Sequence, residues 1–134
     1  MAKRRSKIEI KSRLNSRLRP TVTRESRAHR LLALNAAKQA ERVVPMFEKE
    51  RANDDRPRRA VEAIRAWARG QRELGMAEVR RLALGSHAAA RLAKTDAARF
   101  AARAAGHAGA TWHVPTHATA VIVYVRKAIL ANQT

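Results

Sequence analysis

From about residue 28 the apolar positions recur at three- and four-residue steps, and Leu32, Ala36, Ala40, Val43 and Phe47 form the stripe of an amphipathic helix. Pro45 interrupts it, because proline removes a backbone donor; it should kink the helix, or end it with Met46 and Phe47 beginning another turn. The polar run Asn53-Asp54-Asp55-Arg56-Pro57 then offers carboxylates that can cap free amides and a proline suited to a first turn. A helix is predicted from there to about Arg72, burying Ala60, Val61, Ile64, Trp67 and Ala68. Gly70 and Gly75 bracket a turn, after which Met76, Val79, Leu82, Ala83, Ser86 and Ala90 share one face of a further helix. Thr95 can cap the next, Ala97 to about Ala110, where alanine on nearly every face permits close approach of neighbours and places this helix in the middle. Val121-Ile122-Val123-Tyr124-Val125 favours strand by composition. Helix is the better reading, because Ala118, Val121, Ile122, Val125 and Ile129 lie on one helical face and a lone strand has nothing to pair with. The fold class predicted is all-α, a single compact bundle of five or six antiparallel helices joined by short connections.

The chain has 134 residues, 46% of them apolar, which fits one domain with a core large enough to fold unaided. Its 29 Lys and Arg against 11 Asp and Glu leave +18, a surface that repels itself and attracts polyanions or an acidic partner. Half of that charge falls within residues 1–30, a stretch poor in aromatics. There Ile8, Ile10, Leu14 and Leu18 hint at a short helix ended by Pro20. Residues 1–27 are therefore expected to be a mobile basic arm, and 28–134 the helical domain. With no cysteine, disulfides, Cys-type metal sites and thiol nucleophiles are excluded. No apolar run is long enough to span a bilayer and no apolar stretch follows the charged start, so the expectation is a soluble protein, cytoplasmic by default.

The residues that could carry chemistry are few. His107, His113 and His117 fall within eleven residues, and His87 on the preceding helix could approach them. A four-residue step such as His113 to His117 can present two imidazoles to one metal, which opens the reading of a metal-dependent hydrolase. The stretch contains no Asp, Glu or Cys to complete or orient such a set, so histidines bonded to helix-end backbone are favoured, with no cofactor expected. Adjacent Asp54 and Asp55 read as a helix cap rather than a magnesium site. Arg58, Arg65, Arg69 and Arg72 form a basic face on one helix, either a solvated surface or a clamp for carboxylates or phosphates. Trp67 and Trp112 read as core or interface aromatics, and the five glycines punctuate helices without forming a phosphate loop.

Several strings in order, Glu41-Arg42-Val43-Val44-Pro45 through Phe47-Glu48, Asp54-Asp55-Arg56-Pro57, Glu62-Ala63-Ile64-Arg65-Ala66-Trp67-Ala68-Arg69-Gly70 and Ser86-His87-Ala88-Ala89-Ala90-Arg91, have a familiar look. With Ala101-Ala102-Arg103-Ala104-Ala105-Gly106-His107-Ala108, then His113-Val114 and His117-Ala118, the chain resembles, over about residues 30–131, the all-helical immunity protein family associated with bacterial polymorphic toxins. The resemblance implies a protein that neutralises a cognate toxin by direct binding, with no cofactor and no turnover. The basic arm lies outside these motifs, and the positive balance points to an acidic toxin surface. Arg58, Arg65, Arg69, Arg72 and Trp112 are then the candidate partner-binding residues, since Arg and Trp dominate binding energy when desolvated at an interface centre. The alternative is a nucleic-acid-binding protein that neutralises phosphates without reading sequence, using Lys3, Arg4, Arg5, Lys7, Lys11 and Arg13 with the Arg-lined helix. Self-association is left open.

Overall fold

A computed structural model describes residues 26–133, which form six helices and no strand. The first, α1 (Arg27–Glu41), opens at Ser26, whose hydroxyl accepts the His29 N–H at 3.0 Å. It stops before Pro45, and α2 (Val44–Glu50) takes that proline into its own first turn, where the missing N–H has no helical partner to lose. The proline therefore starts a helix; it does not kink one. In the same way α3 (Arg56–Ala68) carries Pro57 in its first turn. Its capping carboxylate is Asp54, which accepts the Arg56 N–H at 3.2 Å and grips that guanidinium at 2.8 and 2.7 Å; the neighbouring Asp55 makes no side-chain cap. The helix ends at Ala68, short of the expected Arg72. Gly70 adopts φ 73° there, its N–H meets the Trp67 carbonyl and the Gln71 N–H meets the Ala66 carbonyl, each at 2.9 Å, the paired closure that glycine permits after a helix.

The second half holds α4 (Met76–Leu92), α5 (Asp96–Ala110) and α6 (His117–Asn132). Thr95 caps α5 by accepting the Ala98 N–H at 3.2 Å, and Glu50 from the end of α2 closes the same turn by accepting the N–H groups of Lys94 and Thr95 at 2.9 and 2.8 Å. Every other helix packs against α5, which buries Ala98, Ala101, Ala102, Ala104, Ala105, Gly106, Ala108 and Gly109. Small side chains on every face but the one carrying Arg99, Phe100, Arg103 and His107 let five neighbours approach one axis, so the central placement follows from composition. Larger side chains fill the layer behind it: Val43, Val44, Phe47, Val61, Ile64 and Trp67 are at most 2% exposed. Buried among them, His29 shares a hydrogen bond of 2.6 Å with the Thr111 carbonyl and sets its ring edge-on to Trp67.

The Val121–Val125 run is helical, with Val121, Val125 and Ala128 turned inward. Ile122 is an exception to the expected face, at 44% exposed, because the buried stripe of α6 is narrow and follows the i, i+4, i+7 row. On α1 the buried row is His29, Ala33, Ala36, Ala37 and Ala40, and Leu32 is only half-buried at its edge. No helix among the described residues is long and apolar enough to cross a membrane. The expected arm of residues 1–27 lies outside the described residues except for Ser26 and Arg27, which begin α1.

Candidate functional site

Three of the four late histidines meet where α4, α5 and α6 lie side by side. The His107 ring stands 5.0 Å from His87 on one side and 5.0 Å from His117 on the other, and it stacks on Tyr124 at 5.2 Å with an 11° tilt. Gly106 makes this possible, since a Cβ there would fall 2.8 Å from the His87 ring. The Nδ1 atoms of His107 and His117 are 2.8 Å apart, so one donates the single proton that the other accepts. Phe100 extends the patch beside Tyr124, and the Lys127 ammonium lies 5.6 and 5.3 Å from those two rings. His113 is not part of the patch; it is exposed in the turn before α6.

Charge in this patch is disfavoured. Burial, with His107, Arg103, His117 and Arg91 adding like charge, pushes His87 down to about 4. Burial and the neighbouring His117 and Arg103 lower His107, and burial and His113 lower His117. These three histidines are thus neutral near pH 7, and the His87 Nδ1 is buried with no hydrogen-bond partner among the described residues. Ser86 beside it is committed to the Ala102 carbonyl at 2.7 Å, which ties α4 to α5 and leaves the hydroxyl no nucleophilic role. Among the described residues, no three His, Asp or Glu side chains are gathered to hold a metal ion. What the patch offers is a neutral, half-buried aromatic surface with hydrogen-bonding nitrogens.

The five residues expected to anchor a partner do not share one face. Arg58 makes a two-pronged bond to Glu48 at 3.0 and 2.6 Å and reaches Glu41 at 3.5 Å, and Glu48 holds its guanidinium above the usual range. Arg65 pairs with the other oxygen of Glu41 at 2.5 Å. Both arginines therefore fasten α3 to α1 and α2. Arg69 is exposed at the end of α3, and Arg72 pairs with Glu78 at 2.5 Å across the turn to α4. Trp112 belongs to the core at 5% exposed. Lys3, Arg4, Arg5, Lys7, Lys11 and Arg13 lie outside the described residues.

A surface that the sequence reading did not single out lies on the outer side of α4. Ala77, Arg80, Arg81, Leu84, Ala88, Arg91 and Leu92 fall within one angular sector of that helix, and Leu84 and Leu92 are 65% and 55% exposed. The signal was present in the exposed phase of the same periodicity that located the helix, where leucine stands among arginines with no carboxylate on the stripe. Elsewhere carboxylates are taken up internally. Leaving aside Glu9 and Glu25 from the eleven, nine remain, and seven of them, Glu41, Glu48, Glu50, Asp54, Asp55, Glu78 and Asp96, bond or pair with groups of this chain. Arg80, Arg81 and Arg91 have no ion pair among the described residues.

The sequence profile of the Imm-5 like putative immunity protein family matches residues 23–134. No curated protein and no solved structure matches the chain.

Proposed function

Because this chain belongs to the Imm-5 like putative immunity protein family, we propose that it is an immunity protein that neutralises a cognate toxin by binding it, without catalysis and without a cofactor. The observation that carries the reading is the imbalance of the surface. Most carboxylates of the described residues are occupied within the chain, while among the same residues Arg80, Arg81 and Arg91 have no ion pair and Leu84 and Leu92 are exposed. Such a surface complements an acidic protein, and electrostatic complementarity of this kind supplies both a fast encounter and selectivity between partners. Arg69 remains exposed for it, whereas Arg58, Arg65 and Arg72 would have to give up Glu48, Glu41 and Glu78. The protein acts in the cytoplasm, and the basic segment 1–27 adds long-range attraction.

The test is affinity capture with the full chain, before and after nuclease treatment. A specific protein retained after nuclease, whose toxicity on expression is relieved by co-expression of this chain, is the expected result. If the retained material disappears with nuclease, and the chain instead retards DNA or RNA with an affinity that falls steeply as salt rises, the protein is a nucleic-acid binder and the immunity reading is lost.

A further inference from the structure

Resting on that protein-binding reading, we propose that the outer stripe of α4 is the docking surface, and that it receives an amphipathic helix of the toxin in which apolar residues alternate with carboxylates. Leu84 and Leu92 sit two turns apart at 65% and 55% exposed, with Arg80, Arg81 and Arg91 around them. Solvent-exposed leucines at this spacing, framed by arginines that have no ion pair among the described residues, make the mirror image of an acidic amphipathic helix. Ala88 between them, and Ala77 about two turns ahead of Leu84, leave room for a partner backbone to approach.

A second observation extends the surface sideways. Toward α3 the stripe borders a cleft of about 500 Å³ lined by Arg56, Arg59, Arg72 and Arg81 with Glu62 and Glu78. Of its four guanidinium groups Arg72 is paired with Glu78, Arg56 with Asp54 and Arg59 with Asp55, which leaves Arg81 as the lining arginine without an ion pair among the described residues. Arg81 belongs to both the stripe and the cleft, so a carboxylate that reaches over the leucine ridge meets a guanidinium that no carboxylate of the described residues already holds. Toward α5 the same helix leads into the histidine patch through His87.

Other occupants fit less well. A second copy of the chain would bring the same arginines against themselves, on a molecule of net charge +18. Nucleic acid would satisfy the arginines but leave the two leucines in water, and the α4 stripe has no aromatic ring for base stacking. Only a partner that is both apolar and acidic matches all of these residues.

The probe is a synthetic helical peptide of roughly 15 to 18 residues, long enough to cover the stripe. Leucines stand at positions i, i+3, i+4 and i+7 with glutamates between them. A second peptide keeps every glutamate and replaces leucine by serine. Titrated into the full chain at roughly 0.15 M salt, the leucine peptide is expected to bind at least about tenfold more tightly than the serine peptide. Backbone amide shifts should centre on Ala77, Arg80, Leu84, Ala88, Arg91 and Leu92. The double variant Leu84→Ser/Leu92→Ser should bring the two affinities together without altering the fold seen by circular dichroism.

Equal binding of the two peptides, absence of binding, or shifts centred on α6 overturns the proposal. So does a concentration-dependent dimer that Leu84→Ser/Leu92→Ser dissolves, or duplex DNA that shifts the same amides whether or not the leucines are present. The capture experiment separates this failure from that of the function. A toxin retained equally by the wild-type chain and the double variant removes the α4 surface while leaving the immunity reading intact.

Discussion

The two halves of the bundle hold two sets of arginines in opposite ways. On the side built from α1, α2 and α3, Arg58 and Arg65 are bound to Glu41 and Glu48, and the Arg30 guanidinium lies 4.6 Å over the Trp67 ring while donating to the Trp67 carbonyl. On the side built from α4, α5 and α6, Arg80, Arg81 and Arg91 have no ion pair among the described residues, and His87 has a buried nitrogen with no acceptor or donor. Arginine is denser over residues 27–68 than over 76–132, eight of 42 positions against six of 57, so density does not explain why the second side holds arginines without ion pairs. The distinction arises from which arginines the fold sets opposite carboxylates, and it separates arginines that hold helices together from arginines that stay exposed without an ion pair among the described residues.

The contrast breaks most severely where the paired side is anchored. Trp67 is 2% exposed, meets His29 edge-on and carries the Arg30 guanidinium on its face, so Trp67→Ala should cost about 3–5 kcal/mol in urea unfolding. A loss of less than about 1 kcal/mol would mean that this side is not the stability centre. A smaller effect is expected at Glu41, whose two oxygens serve Arg58 and Arg65. Its side chain is 41% exposed, so solvent screening limits Glu41→Gln to about 1 kcal/mol, diminishing further in high salt. A double-mutant cycle with Arg65→Met isolates the pair, and zero coupling at low salt would show that it contributes nothing.

These pairings explain what was legible in advance and what was not. The order of the helices, the central place of α5 and the helical state of Val121–Val125 all follow from local spacing and side-chain size. The ends were misjudged where a single residue decides them. Gly70 closes α3 before Arg72, and the narrow buried row of α6 leaves Ile122 outside. The fates of Arg58 and Arg65 depend on α3 lying against α1 and α2, a contact between residues ten to twenty-four positions apart that no periodicity reports. The histidines are visible as a group in the sequence, but a glycine that punctuates a helix gives no sign that its lack of a side chain at Gly106 admits the His87 ring. His29, buried and bonded to the Thr111 carbonyl 82 positions away, had no local signal at all.

On the unpaired side the histidines make stability depend on pH. In the unfolded chain His87 titrates near its ordinary value of 6.5, and in the folded chain it is held down to about 4 by burial and by His107, Arg103, His117 and Arg91. Between those values the unfolded state binds more protons, so stability is full above about 6.5 and falls as the pH drops toward 4. Lowered values of His107 and His117 act in the same direction. The lowered carboxylates of Glu50 and Asp54 also weaken the fold on acidification, but only below their unfolded values of 4.5 and 3.8, so the range from 6.5 to about 5 belongs to the histidines. The urea midpoint should decline across that range, and His87→Gln should reduce the decline. Parallel profiles for the two proteins would show that the patch is not desolvated as the structure has it.

The smallest expected change in stability tests the comparison most directly. If Arg80, Arg81 and Arg91 have no structural duty, replacing each by alanine should move the unfolding free energy by no more than about 0.5 kcal/mol, the usual range for exposed positions. Alanine favours helix slightly more than arginine, and removing like charge from a chain of net +18 reduces self-repulsion, so the sign of the triple substitution should be neutral to stabilising. The same substitution on the paired side, Arg58→Ala with Arg65→Ala, removes bonds to Glu48 and Glu41 and strands their carboxylates, so it should be destabilising. Measured side by side at low salt, the two sets should therefore move in opposite directions. A destabilisation of more than about 1 kcal/mol from the α4 set would mean that these arginines hold the fold together through contacts within the chain, and a surface already occupied in that way would have nothing left to offer a partner.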